Sequence, residues 1–154
     1  MHIRQIISTE HYLVTHLFDQ YRQFYGQPSD PELATRFIKE RLSKGESVIF
    51  VAIETENSAD TPVGFTQLYP TYSSVRATKN RILNDLFVAE EHRRKGIGEG
   101  LIQAALQFAA DEGCTYVQLE TAVTNTGAQQ LYEAIGFIKQ EPETEYLTYR
   151  MSVR

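Results

Sequence analysis

The chain has 154 residues, enough for one domain with a proper core, and its 42% apolar and 23% charged residues are ordinary for a globular protein. A formal net charge of -5 excludes a general nucleic-acid binder, and the single cysteine, Cys114, excludes an intramolecular disulfide and fits a reducing compartment. With no apolar signal core at the N-terminus and no run of transmembrane length, the expectation is a cytoplasmic protein that does not associate with membranes.

In chain order, Ile3–Ile7 reads as a short strand. Ser8 or Thr9 can cap a helix over Glu10–Tyr25, with Leu13, Leu17, Tyr21 and Phe24 recurring at helical spacing and Gly26 ending it. After the break at Gln27-Pro28-Ser29, Asp30 caps a second helix that has Pro31 at its first position. Its inward residues are Leu33, Phe37, Ile38 and Leu42, and Lys44-Gly45 closes it. Ser47–Glu54 and Pro62–Tyr69 read as strands joined by a polar turn, and Arg81–Val88 as a third. A helix then runs to Glu112 and stops at Gly113. Tyr116–Ala122 is the next strand, and Asn125 or Thr126 opens a helix that Gly136 ends. Phe137–Lys139 and Tyr146–Val153 read as a final antiparallel pair. The order predicts a mixed α/β layer, helices over a sheet, as a single domain spanning 1–154.

The most informative stretch joins the strand Leu83–Val88 to the following helix. A charged turn, Glu90-Glu91-His92-Arg93-Arg94-Lys95, leads into Gly96, Gly98 and Gly100 at alternate positions. The first N–H groups of a helix have no intrahelical partner and sit at the positive end of its dipole. Glycine removes the side chains that would keep a pyrophosphate from those groups, and the basic residues attract it from a distance. The P-loop pattern is excluded because no Gly-Lys-Ser/Thr follows. The dinucleotide fingerprint is excluded by the glycine spacing and by the late position of the turn.

Arg93-x-x-Gly96-x-Gly98 after Leu86-Phe87-Val88 resembles the acetyl-CoA signature of the GCN5-related N-acetyltransferases, the GNAT superfamily. A second stretch carries Asn125, Ala128, Leu131-Tyr132 and Gly136-Phe137 at that family's spacing, after the strand that holds Glu120. The resemblance implies a GNAT fold: a mixed central sheet with a splayed parallel strand pair and helices on both faces. It implies acetyl-CoA as co-substrate and no metal. Pantetheine amides would pair with the open edge at Leu86, Phe87 and Val88, as an added strand does. The backbone N–H groups of Arg94, Lys95, Gly96, Ile97, Gly98 and Glu99 would hold the pyrophosphate, and Asn125 would bond the pantetheine arm or simply cap its helix.

By the same resemblance, Tyr132 is the general acid that protonates the departing thiolate, and a phenol with an ordinary pKa near 10 is protonated at neutral pH. An amine would attack the acetyl carbonyl directly, through a tetrahedral intermediate, with a strand N–H near Val88 polarising the oxygen. Glu120 and Asp85 are the carboxylates placed to take the amine's proton, with a water chain as the other route. Cys114, far in sequence from both motifs, reads as a small packed residue rather than a nucleophile. The family's acceptor region corresponds to segments that hold Tyr25, Tyr69, Tyr72, Tyr146 and Tyr149. Such aromatic rims, with Asp85 and the acidic charge, suit a small cationic amine. The other readings are a protein or peptide acetyltransferase and a non-catalytic acyl-CoA-binding module. Homodimerisation is common in the family, and the apolar C-terminal strand offers an edge for it.

Overall fold

The structure is a computed structural model that describes residues 1–154. The chain divides into two compact units, Met1–Glu120 and Thr121–Arg154. The first holds a five-stranded sheet in sequence order, formed by β1 (His2–Gln5), β2 (Val48–Glu56), β3 (Ala59–Ser73), β4 (Thr78–Val88) and β5 (Val117–Gln118). The first four strands pair antiparallel, and β4 pairs with β5 in parallel. Three helices belong to this unit: α1 (Thr15–Phe24), α2 (Pro31–Ser43) and α3 (Ile97–Glu112).

Strand parity sends alternate residues to opposite faces, and each face finds a helix layer. Ile49, Val51, Ile53, Phe65 and Phe87 share one core cluster with Leu17 and Phe18 of α1 and Ala34 and Ile38 of α2. Phe50, of opposite parity, meets Phe108 of α3 edge-on at 5.9 Å. Helices therefore cover both faces, as expected. Gly64 lets α3 come close: a Cβ there would sit 3.3 Å from Leu101 and 3.0 Å from the Phe87 carbonyl.

Local details depart from the sequence-based expectations. The first predicted helix is a 3₁₀ turn, Ser8–Leu13, followed by α1. Ser8 and Thr9 do not cap it; Glu10 reaches back and accepts the Ile7 N–H at 3.1 Å, and its carboxylate also pairs with Arg4. Asp30 caps α2 as expected, accepting from the Leu33 N–H at 3.1 Å. The strand predicted over Tyr116–Ala122 shrinks to Val117–Gln118.

The second unit is built on α4 (Thr126–Ile135). Asn125 caps it by accepting the Ala128 N–H at 3.1 Å, and Gln129 donates to the carbonyls of Ala122 and Val123. The antiparallel pair expected at Phe137–Lys139 and Tyr146–Val153 does not form, so no C-terminal strand offers a dimer edge. Instead Glu143 accepts from the N–H groups of Glu145 and Tyr146, turning the chain locally, while Tyr146, Leu147 and Tyr149 are exposed. Alternation alone makes a strand only where a partner strand or a packed face holds it, and a lone two-stranded ribbon is marginal.

Candidate active site

The parallel pair is short. Only Arg81 and Ile82 of β4 register with β5, opposite Val117 and Gln118. Below that pair, the buried Asn80 side chain takes the place of a ladder partner and accepts from the N–H groups of Thr115 and Tyr116 at 3.0 and 3.2 Å. The buried Arg81 grips Glu112 at the end of α3 with two bonds of 2.8 and 2.7 Å, and Lys79 joins at 3.2 Å. This pairing pulls the Glu112 carboxyl down to about 2. Cys114 donates to the same carboxylate, and burial pushes its thiol up, away from nucleophilic chemistry. β4 then continues from Leu83 to Val88 beyond the end of β5. That stretch is the splayed edge.

The peptide geometry shows which groups the edge presents. The Ala89 N–H bonds to the Val63 carbonyl of β3 at 2.8 Å, so in a trans peptide the Val88 carbonyl points away from β3. The Phe87 carbonyl sits over Gly64 of β3, so the Val88 N–H also points to the open side. Val88 therefore offers both of its backbone groups to the edge, while Phe87 pairs inward with Phe65. Arg93 donates its Nε–H to the Val88 carbonyl at 2.8 Å, and its guanidinium lies 5.5 Å from the Phe87 ring and 6.0 Å from that of Phe24. An open cavity of about 480 Å³ is lined by Phe87 and Arg93, by Gln20, Gln23 and Phe24 of α1, and by Glu90 and Glu91 just after β4.

Beyond Arg93, the backbone becomes a row of donors. Arg94 and Gly96 both adopt left-handed φ, 63° and 80°, and Gly96 opens α3. Such turns aim successive N–H groups into one concavity. A Cβ at Gly96 or Gly98 would meet nothing within 4 Å, so the space over these N–H groups stands open. A polyphosphate fits that donor set, and an extended amide chain fits the edge that leads to it.

The two candidate carboxylates differ sharply. Glu120 is exposed, past the end of β5. Asp85 is 2% exposed, on the face of β4 that turns to α1, and burial raises its carboxyl above the usual range. Gln67 stands opposite it in register and donates to Oδ2, while Asn84 donates to Oδ1 at 2.8 Å. Tyr21 of α1 covers the pair, donating to the Asn84 carbonyl at 3.3 Å. Burial first, and the Asp85 charge second, drive the hydroxyls of both Tyr21 and Tyr69 well above the usual phenol range. Tyr25 meets Tyr21 edge-on at 5.0 Å and is itself exposed, as is Tyr72, which Lys79 overlies at 6.0 Å. The α1–α2 loop is held from below by Asp19, which accepts from Ser29, the Asp30 N–H and Gln23.

The first unit thus brings Asp85, Tyr69, Tyr25 and the open edge together around the end of α1. Tyr21, which packs against the core as its helical spacing predicts, joins them, and so does Gln67, which no motif marks. The signal for Gln67 was present: it stands with Phe65 and Tyr69 on one parity of a buried strand, where an amide needs partners. In the second unit Tyr132 meets Phe137 edge-on at 5.9 Å, and the Phe137 N–H closes back on the Tyr132 carbonyl.

Comparison with known proteins identifies the family and the fold. The Acetyltransferase (GNAT) family profile matches residues 11–137. A Bacillus subtilis protein named as the uncharacterized N-acetyltransferase YhfO is 42% identical over 153 residues, 99% of this chain and 98% of that one. A probable acetyltransferase of Haemophilus influenzae is 36% identical over 92 residues, 60% of this chain and 61% of its own. The crystal structure of a probable acetyltransferase superposes with a TM-score of 0.85 at 38% identity, covering 100% of this chain and 99% of that one. An aminoglycoside N-acetyltransferase solved with CoA shares the fold, with a TM-score of 0.75 at 23% identity over 96% of this chain and 93% of its own.

Proposed function

The chain belongs to the GNAT acetyltransferase family, and on that premise we propose that it transfers the acetyl group of acetyl-CoA directly to the amino group of a small cationic molecule. The observation that carries this reading is the free stretch of β4 after Ile82, which ends in a turn of bare N–H groups at the start of α3. In this reading Val88 and its neighbour Leu86 pair with the pantetheine amides, and Arg93 releases the Val88 carbonyl as they arrive. The N–H groups from Arg94 through Glu99 hold the pyrophosphate, assisted by the charge of Lys95. Asn125, besides capping α4, offers its amide to the pantetheine arm. The co-substrate supplies the activated acetyl group; the chain supplies position and proton transfer.

Tyr132 is the general acid for the leaving thiolate. Between the two carboxylates, burial beneath two tyrosines favours Asp85 over the exposed Glu120 as the group that takes the amine's proton. Tyr25, Tyr69 and Tyr72 give the acceptor its aromatic surroundings, which suit a cation. The family match crosses both compact units, so we treat 1–154 as one acetyltransferase domain. A cytoplasmic setting completes the reading.

Thermal stabilisation by acetyl-CoA, followed by thiol release on an amine, tests it. Tyr132→Phe is expected to lower kcat by about 10² to 10⁴ with little change in acetyl-CoA affinity. An unchanged kcat would remove the acid role from Tyr132.

A further inference from the structure

Gln67 is fully buried, and its carbonyl oxygen Oε1 has no hydrogen-bond partner. A buried amide oxygen left unpaired is costly and rare, so it calls for a function. The other end of the same amide donates to Oδ2 of Asp85, its cross-strand neighbour. Gln67 is therefore aligned with the one buried carboxylate of the site, and it carries a donor and an acceptor on a group that can turn over.

We propose that Gln67 is the positioning residue for Asp85 through its proton cycle, its N–H holding the carboxylate and its Oε1 receiving the carboxyl O–H once Asp85 has taken a proton from the acceptor amine. The proton moves from the ammonium nitrogen to a carboxylate oxygen, leaving a neutral amine and a neutral carboxyl. An ionised carboxylate accepts only, whereas its protonated form must donate. A half-turn of the amide changes the partner it offers without moving the strand. A leucine or methionine in its place would leave Asp85 without either partner.

The surroundings leave this role to Gln67. From α1 the groups that face Asp85 are Tyr21 and, behind it, Tyr25; from β3 they are Gln67 and Tyr69; from α2, Arg41 acts on Tyr69. The tyrosines Tyr21 and Tyr69 stay neutral at working pH. Asn84 holds the other carboxylate oxygen.

The proposal rests on Asp85 as proton acceptor, and two measurements separate the claims. In the full-length protein, the Asp85 side-chain carboxyl is titrated by ¹³C NMR, its resonance assigned by its loss in Asp85→Asn. Gln67→Met loses both bonds, and because the bond to the charged form is the stronger, the Asp85 midpoint is expected to rise, by about half a unit or more. Gln67→Thr, too short to reach Asp85, should do the same if methionine overfills the site. An unshifted midpoint in a folded variant overturns the role of Gln67 and leaves that of Asp85 standing. Thiol release by Asp85→Asn is measured with spermidine, kanamycin and a lysine peptide beside acetyl-CoA. Wild-type turnover there removes Asp85 as the proton acceptor, and the role of Gln67 with it.

Discussion

The glycine turn ahead of α3 and the polar cluster beneath α1 are built in opposite ways. The turn consists of backbone: contiguous residues with left-handed φ at Arg94 and Gly96, and open space where side chains would stand. The cluster consists of side chains drawn from three elements, Tyr21 from α1, Gln67 and Tyr69 from β3, and Asp85 from β4. A backbone site tolerates changes that keep its N–H groups clear. A side-chain cluster in a dry setting does not, because removing one member leaves a buried polar neighbour short of a partner.

The largest expected effect lies in the cluster. Asp85→Asn keeps the shape and the bond from Gln67 but cannot take a proton, so kcat should fall by about 10² to 10⁴. The wild-type kcat/KM should rise with pH through the Asp85 titration, because only the ionised carboxyl accepts. Burial raises that titration, so the acid limb should lie above the ordinary aspartate value near 3.9. A pH-independent rate would break the comparison at this point.

The turn should respond to charge more than to a single methyl. Gly98 sits in the first turn of α3 with room for a side chain. Gly98→Ala, which adds one methyl, should weaken acetyl-CoA binding only slightly, while Gly98→Asp should weaken it at least about tenfold, ~1.4 kcal/mol, by crowding and repelling phosphate. Calorimetric titration with acetyl-CoA reads both. Equal affinities in the two variants would mean that the pyrophosphate lies elsewhere.

A third change reaches neither site and calibrates both. Glu112→Gln leaves the buried Arg81 without its carboxylate, with an expected loss of about 1.5–3 kcal/mol in unfolding free energy at pH 7. The folded Glu112 carboxyl is depressed to about 2, below its unfolded value, so its contribution is present above the unfolded pKa and is lost as pH falls through the folded one. The variant and wild type should therefore converge in stability as pH approaches about 2, as denaturant melts would record. The smallest effect is expected for Glu120→Gln, whose kcat should stay within about threefold of wild type, since an exposed carboxylate is poorly placed to be tuned. A loss as large as that of Asp85→Asn would move the proton acceptor to Glu120.

The contrast also explains what could be read from the sequence. The ends of α3, at Gly96 and Gly113, both have left-handed φ, which glycine favours without help from the rest of the chain. The caps at Asp30 and Asn125 are likewise local and were legible. The pairing of Gln67 with Asp85 was not, because it depends on the register of β3 against β4, which shifts at Gln67/Leu68. The length of β5 was not legible either. Its alternating apolar residues run on past Gln118, but pairing with β4 stops there, and the pairing begins where the buried Asn80 meets Thr115 and Tyr116. The C-terminal pair failed for the same reason: Glu143 closes a local turn, and nothing in alternation supplies a partner.

Thiol release from acetyl-CoA across polyamines, aminoglycosides, amino acids and short lysine peptides tests the central claim most directly. The expected result is steady turnover on a small cationic amine, lost in Asp85→Asn. Acetyl-CoA binding with no release on any of these amines would contradict it and leave a protein that holds acyl-CoA without transferring its acetyl group.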